Sequence, residues 1–113
     1  MSKPEKFTGD DWTFTINLAT SAGAYDASGA DVIEVAVVSA NNSSAELLIP
    51  AVSADPMAPG ADWANGVVAV TFPESSTDIA TYGTLWLELQ ITSGSAKTTF
   101  PRANFRAQRG LVP

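Results

Sequence analysis

Four basic side chains near the end of the chain have the clearest capacity for specific chemistry. They are Lys97, Arg102, Arg106 and Arg109. No acidic residue lies among them, whereas eleven of the twelve acidic residues lie between positions 7 and 96, where there is no Lys or Arg. Arginine binds carboxylates through two parallel hydrogen bonds and gives up its hydration more easily than lysine. The three arginines are therefore predicted to contact a partner subunit, although solvated charges on a last strand show the same pattern.

Two tryptophans are candidate partner contacts. Trp86 lies beside Glu88 on the polar side of an alternating segment, and tryptophan is enriched at interface hot spots. Trp63 lies in a long loop, residues 53–66, and either closes one end of the core or projects as a contact. A second layer or that loop covering Trp86 is the structural alternative. Tyr25, Trp63 and Trp86 together give a second hypothesis, a carbohydrate-binding module that stacks sugar rings on aromatic side chains.

Residues of the kind that enzymes use are scarce. The chain has no His and no Cys, which removes the usual general base near neutral pH, the Ser-His-Asp arrangement and the commonest zinc ligands. The Asp residues predicted in loops lack the spacing of a calcium loop, and nothing places two Glu side chains together for glycoside hydrolysis. The sequence therefore predicts a non-enzymatic protein with no catalytic residues, no metal and no cofactor.

Length and charge restrict the partners. The chain has 113 residues, enough for one domain, and its net charge of -6 argues against nucleic acid, which requires a basic surface. No segment approaches the roughly 20 apolar residues that span a bilayer, and the first residues lack the apolar run of a secretion signal. A membrane partner and secretion by a classical signal are not expected.

Alternation of apolar and polar residues at period two predicts most of the secondary structure. Residues 76–82 favour one or two helical turns that pack Ile79 inward, and residues 19–31 and 53–66 are predicted loops. The predicted strands are residues 12–18, 32–38, 46–49, 67–72, 84–92, 97–100 and 104–108. Seven strands separated by turn residues are typical of an antiparallel β-sandwich.

The end of the chain predicts a long hairpin. Gly94 permits a tight turn between residues 84–92 and 97–100. Pro101 lacks a backbone N–H, so the return strand is expected to break, bulge or lie at a sheet edge there. The arginines beyond Pro101 are expected at such an edge, where free N–H and C=O groups could pair with another chain. The domain organisation predicted is an arm at residues 1–9, a sandwich at 10–109 and a tail at 110–113.

Four strand-containing segments carry a resemblance to a known family. They are residues 9–18 (GDDWTFTINL), 26–38 (DASGADVIEVAVV), 65–72 (NGVVAVTF) and 82–94 (YGTLWLELQITSG), the last followed by TTFPR at 98–102. Together they resemble the N-terminal immunoglobulin-like domain of phage baseplate upper proteins. The resemblance implies an immunoglobulin-like fold for the sandwich. It also implies a larger apolar side chain where this chain has Ala27, and hence looser packing of that loop.

The resemblance implies a structural role in a tailed-phage virion. The expected partners are other virion proteins of the baseplate, tail or head and neck, and other copies of the chain in a symmetric homo-oligomer. The expected location is the virion, assembled in the host cytoplasm. The family brings no catalytic residues, so the candidate site consists of the partner-binding residues Arg102, Arg106, Arg109, Trp86 and Trp63.

Overall fold

The computed structural model describes residues 5–110, which form ten strands, one α-helical turn and one 3-10 turn. The helical turn, α1, is Glu74–Thr77, and the 3-10 turn is Trp63–Asn65. The strands are β1 (Glu5–Phe7), β2 (Trp12–Asn17), β3 (Ala19–Thr20), β4 (Gly23–Ala24), β5 (Val32–Val38), β6 (Leu47–Ser53), β7 (Val67–Phe72), β8 (Gly83–Ser93), β9 (Ala96–Thr99) and β10 (Ala103–Gln108). The prediction of an all-β protein is confirmed.

Six strands form one large sheet around β8. Their order is β1-β10-β8-β5-β6, and β9 pairs with β8 beyond the start of β10. All of these pairs are antiparallel except that of β1, which runs parallel to β10. The prediction of a wholly antiparallel fold is therefore wrong at this edge, where a segment from the start of the chain lies beside the last strand.

A second, two-stranded sheet covers one face of the large sheet. β2 pairs with β7, and the apolar side chains of both strands join the core formed by β5, β8 and β10. Phe105 is fully buried between them, with its ring 5.5 Å from that of Trp12 and 5.0 Å from that of Phe14, both edge to face. We term the face covered by β2 and β7 the inner face of the large sheet, and the opposite side the outer face.

The predicted long hairpin is present, and its return strand is interrupted at Pro101 as predicted. β9 pairs with the end of β8 and β10 with its beginning. Thr99 pairs with Gln90 and Ala103 with Leu87, so three residues of the return strand face two of β8. The extra residue is accommodated at Pro101, which has no N–H to donate to the ladder.

Pro50 does not end its strand. The sequence predicted a stop there, but β6 continues to Ser53. Two properties of β6 permit this: it is the edge strand of the sheet, and its register with β5 shifts between Val35 and Val37. A proline is tolerated at a sheet edge or at an irregularity because no ladder hydrogen bond is lost.

The loop at residues 19–31 is more ordered than the sequence predicted. It contains the short β3–β4 hairpin, and Ala27 is only 2% exposed, with its N–H donating to the Trp63 carbonyl oxygen at 2.7 Å. The small side chain of Ala27 is therefore buried as part of the core. Nearby, the Ser28 hydroxyl and the Ser28 backbone N–H both donate hydrogen bonds to the Asp26 carboxylate. These bonds, the hydroxyl bond most strongly, hold the pKa of Asp26 below its usual range.

The helical turn α1 begins two residues before the predicted start. The Asp11 carboxylate accepts the Glu74 N–H at 2.8 Å, which supplies one of the acceptors that a helix start lacks. The fully buried Thr77 donates its hydroxyl to the Asp10 carbonyl oxygen at 2.6 Å. Ile79 packs against the core, as predicted.

The first described residues form a strand where the sequence predicted a loose arm. Phe7 accepts the Trp12 indole N–H at 2.7 Å through its carbonyl oxygen, and Lys6 donates to the Thr13 carbonyl oxygen at 3.0 Å. β1 therefore contacts both sheets, being paired with β10 in one and bonded to β2 in the other. The remainder of the predicted arm, residues 1–4, and of the predicted tail, residues 111–113, lies outside the described residues.

Candidate partner-binding face

Trp86 lies near the middle of the outer face of the large sheet. Its neighbours on β8, Leu85 and Leu87, point to the inner face and are buried, so alternation directs the indole to the side that the small sheet leaves open. Trp86 pairs with Val38 of β5 on one side and Asn104 of β10 on the other. Val38 is 4% exposed although it also lies on the outer face, where it pairs with Trp86 on one side and with Leu47 of β6 on the other.

The basic residues occupy one flank of this face. Lys97 pairs with Thr92 and Arg106 with Thr84, both on the outward side of β8, and the guanidinium of Arg102 lies 3.5 Å from Glu88. The alternation that puts Trp86 outside therefore puts these three cations outside as well. We term the outward side chains of β5, β8, β9 and β10 the Trp86 face. Its principal members are Glu34, Ala36, Val38, Trp86, Glu88, Lys97, Arg102, Asn104 and Arg106.

Arg102 is already engaged within the domain. Its guanidinium donates to the Ala40 carbonyl oxygen at 2.8 Å and the Asn42 carbonyl oxygen at 3.1 Å. These bonds connect the irregular segment after Pro101 to the turn between β5 and β6. The ion pair with Glu88 is partly exposed and contributes little stability by itself. Arg102 therefore shapes the Trp86 face, and its remaining capacity for a partner is smaller than that of Arg106.

The strand edge beside Arg106 is not free. The sequence placed the three arginines along an open edge, but β1 pairs with β10 from Arg106 to Gln108 and occupies it. That expectation is wrong for this half of β10. On the same side of β8, the outer edge of β9 is also unpaired within the described residues, and its Lys97 is exposed; charged side chains at such edges discourage uncontrolled strand addition.

Arg109 and Trp63 lie away from the Trp86 face. Arg109 is exposed after the end of β10, in a surface cleft that it shares with Phe7 and Asp10. Trp63 packs against the core, and its indole N–H is buried without an acceptor among the described residues. The structure therefore brings together Trp86, Arg102 and Arg106 from the predicted set, and separates the other two from them.

The three aromatic residues of the carbohydrate hypothesis do not form one platform. Tyr25 contacts Phe100 with ring centres 5.1 Å apart, and both Tyr25 and Trp63 pack against the core. Trp86 belongs to the opposite face of the sheet. A sugar-stacking platform needs aromatic faces that point to solvent from a common surface, and the positions of these side chains do not favour one.

The inner side of the fold contains one cleft that the sequence analysis missed. It has a volume of about 250 Å³ and opens between the end of β2 and the irregular segment of the return strand. Ile16, Leu89, Phe100 and Pro101 are among its mostly apolar lining residues, and none of the lining side chains is ionisable. Pro101 was the available signal, because a bulge in one sheet leaves a gap against the sheet that faces it.

Residues 5–110 contain neither a group of potential metal ligands nor a membrane-spanning helix. Within residues 5–110, no three Asp or Glu side chains come together as potential metal ligands. The helical segments in the same range are too short to cross a membrane.

Comparisons with known proteins return no relative. No protein-family model matches the chain, and no curated protein or solved structure matches it.

Proposed function

We propose that this chain is a non-enzymatic structural protein of a tailed-phage virion, built as an immunoglobulin-like β-sandwich and docked on neighbouring virion subunits in several copies. The six strands of the large sheet and the two strands of the sheet that covers it form two packed layers, an arrangement compatible with such a sandwich. The four segments that resemble the baseplate domain include β2, β5, β7 and β8, which supply most of the core. The proposed location is the virion, with assembly in the host cytoplasm.

The observation that carries the docking role is the Trp86 face. Trp86 is partly exposed and lies between Val38, which is buried, and Asn104, which is half-buried. Cations lie along one flank of this face. An aromatic anchor surrounded by polar and charged side chains is the composition that interface hot spots show. Arg106 is exposed and has no ion-pair partner among residues 5–110, so its guanidinium is available to a carboxylate of a neighbour.

Mass spectrometry of purified particles tests the proposed location. The expected result is that the chain is present in intact particles at a fixed ratio to a known structural protein. Abundance in infected lysate together with absence from particles would contradict the proposal.

Reversal of the exposed arginine on the Trp86 face tests the docking surface. Arg106→Glu is expected to lower incorporation into particles at least about tenfold, because like charges would then face the acidic neighbour. Arg102 is left intact because its bonds to Ala40 and Asn42 support the fold.

The matched control for this reversal is Arg109→Glu, the same substitution at an exposed arginine that lies away from the Trp86 face. Each variant is first checked for native circular dichroism and unchanged thermal unfolding. Incorporation of the Arg106→Glu variant at the wild-type level, measured at physiological salt, would show that this side chain is only solvated.

A further inference from the structure

We infer that the Trp86 face is a two-fold symmetric interface that binds a second copy of this chain, with the symmetry axis parallel to β8. The inference deepens the docking role proposed above by naming its partner. It does not require the chain to be a virion component, because dimerisation is a property of the isolated protein.

The charges on the two sides of β8 are complementary. On one side β9, β10 and the segment between them present Lys97, Arg102 and Arg106, whereas on the other side β5 presents Glu34 and no cation. Rotation about an axis parallel to β8 lays β9 and β10 of one copy over β5 of the other. Opposite charges then meet at both flanks, as an isologous interface requires.

The register of the sheet identifies the contacting pair. Gln90 lies between Glu34 on β5 and Thr99 on β9, so these two residues stand at the same height on opposite sides of β8. After the rotation, Glu34 of one copy faces Thr99 of the other, between the long side chains of Lys97 and Arg102. Neither Glu34 nor Lys97 makes an ion pair within the described chain, so both are available.

An axis perpendicular to β8 gives the opposite result. It would place each strand over its own copy and bring the cations on one side of β8, Arg102 and Arg106, against each other. Like charges in contact across an interface cost several kcal/mol of binding free energy. The charge pattern therefore selects the axis parallel to β8.

Trp86 supplies the apolar contact at the centre of the face. It is partly exposed, lies close to the axis and meets its own copy, whereas Val38 and Ala36 beside it are already less than 10% exposed in the single chain. Glu88 also lies on the axis, where the two Arg102 side chains compensate the two carboxylates. Aromatic residues at the centre with charged residues outside are typical of protein interfaces.

The area of the outer face is at the lower end of what a stable dimer buries. At about 4.8 Å between strands and about 3.3 Å for each residue, the six strands of the large sheet give an outer face of roughly 600 Å². Stable interfaces bury about 600–1,000 Å² on each partner. Sheets that pack face to face keep their strands within about 30° of each other, which the proposed axis allows.

Sedimentation equilibrium of the full chain, with charge-swap variants, tests the inference. The wild type is expected to be dimeric, and Lys97→Glu or Glu34→Lys alone is expected to weaken the dimer about tenfold. The combined Lys97→Glu/Glu34→Lys chain is expected to return to within about threefold of the wild-type dissociation constant. Asp78→Lys is the control, because it changes the charge as Glu34→Lys does but at an exposed position beside α1. It should leave the dissociation constant of the dimer unchanged.

A Trp86→Thr variant, with a residue that favours strands, is expected to be monomeric at concentrations where the wild type is dimeric. A monomeric wild type at the highest concentration measured would overturn the inference, as would a combined charge swap that fails to restore the dimer. A monomer that is nevertheless found in purified particles leaves the virion proposal standing. A chain that is dimeric but absent from purified particles supports the inferred dimer and contradicts the virion proposal. The failures of the two proposals are therefore distinguishable.

Discussion

Gly66→Ala is expected to lower the free energy of unfolding by about 3–5 kcal/mol, a large share of the roughly 5–15 kcal/mol that stabilises a domain of ordinary size. Gly66 has a φ of 76°, in the left-handed region that residues with a Cβ rarely adopt. A Cβ at this position would lie 2.6 Å from the Leu18 carbonyl oxygen and 2.7 Å from that of Tyr25. Both oxygens belong to the backbone and cannot rotate away, so the turn between the 3-10 segment and β7 must shift.

Gly60→Ala is the matched control for this prediction. Gly60 has a similar φ of 84°, but no atom lies within 4 Å of the added Cβ. The control carries the backbone strain alone, about 1–2 kcal/mol. Urea denaturation followed by tryptophan fluorescence measures both variants. Equal losses of stability would contradict the close approach of the three backbone segments at Gly66.

Phe105→Ala is expected to lower the free energy of unfolding by about 3–5 kcal/mol. Phe105 is fully buried and contacts the rings of Trp12 and Phe14, so its removal leaves a cavity between the two sheets. The cavity weakens the packing of the small sheet on the large sheet, which carries the Trp86 face. The same denaturation experiment measures the loss of stability.

Phe7→Ala is the control for the core substitution. Phe7 is 44% exposed on β1, and its bond to Trp12 involves the backbone oxygen, which the substitution retains. A loss of about 1 kcal/mol or less is expected. If the two substitutions cost the same, the packing of β2 and β7 on the inner face is not the main source of stability.

Period-two patterns predicted the strands well because they report burial on one face directly. The alternation in residues 84–92 placed Leu85 and Leu87 inside and Trp86 outside, as the structure has them. Pro101 predicted the interruption of the return strand for a reason contained in one residue, its missing N–H. Local chemistry was sufficient for both predictions.

Contacts between distant parts of the chain could not be predicted in this way. The pairing of β1 with β10 joins the two ends of the described chain, and no local pattern in three residues specifies it. The bonds from Arg102 to Ala40 and Asn42 depend on the return strand passing the turn after β5. For that reason the sequence analysis placed Arg102 in a partner contact and Arg106 at an open edge.

The candidate site was predictable in composition but not in arrangement. Trp86, Arg102 and Arg106 were selected by residue type and by their positions in alternating segments. Their assembly on one surface depends on the strand order, which sets β10 and β5 on either side of β8. The acidic Glu34 opposite the cations was visible only after the register of three strands was known.

A cryo-EM reconstruction of purified particles tests the docking role most directly. The expected map contains this domain with its outer face against a neighbouring subunit and with Trp86 buried in the contact. Arg106 is expected within hydrogen-bonding distance of a carboxylate of that neighbour. A map in which the domain is absent, or in which it is held through other surfaces while Trp86 faces solvent, would contradict the proposal.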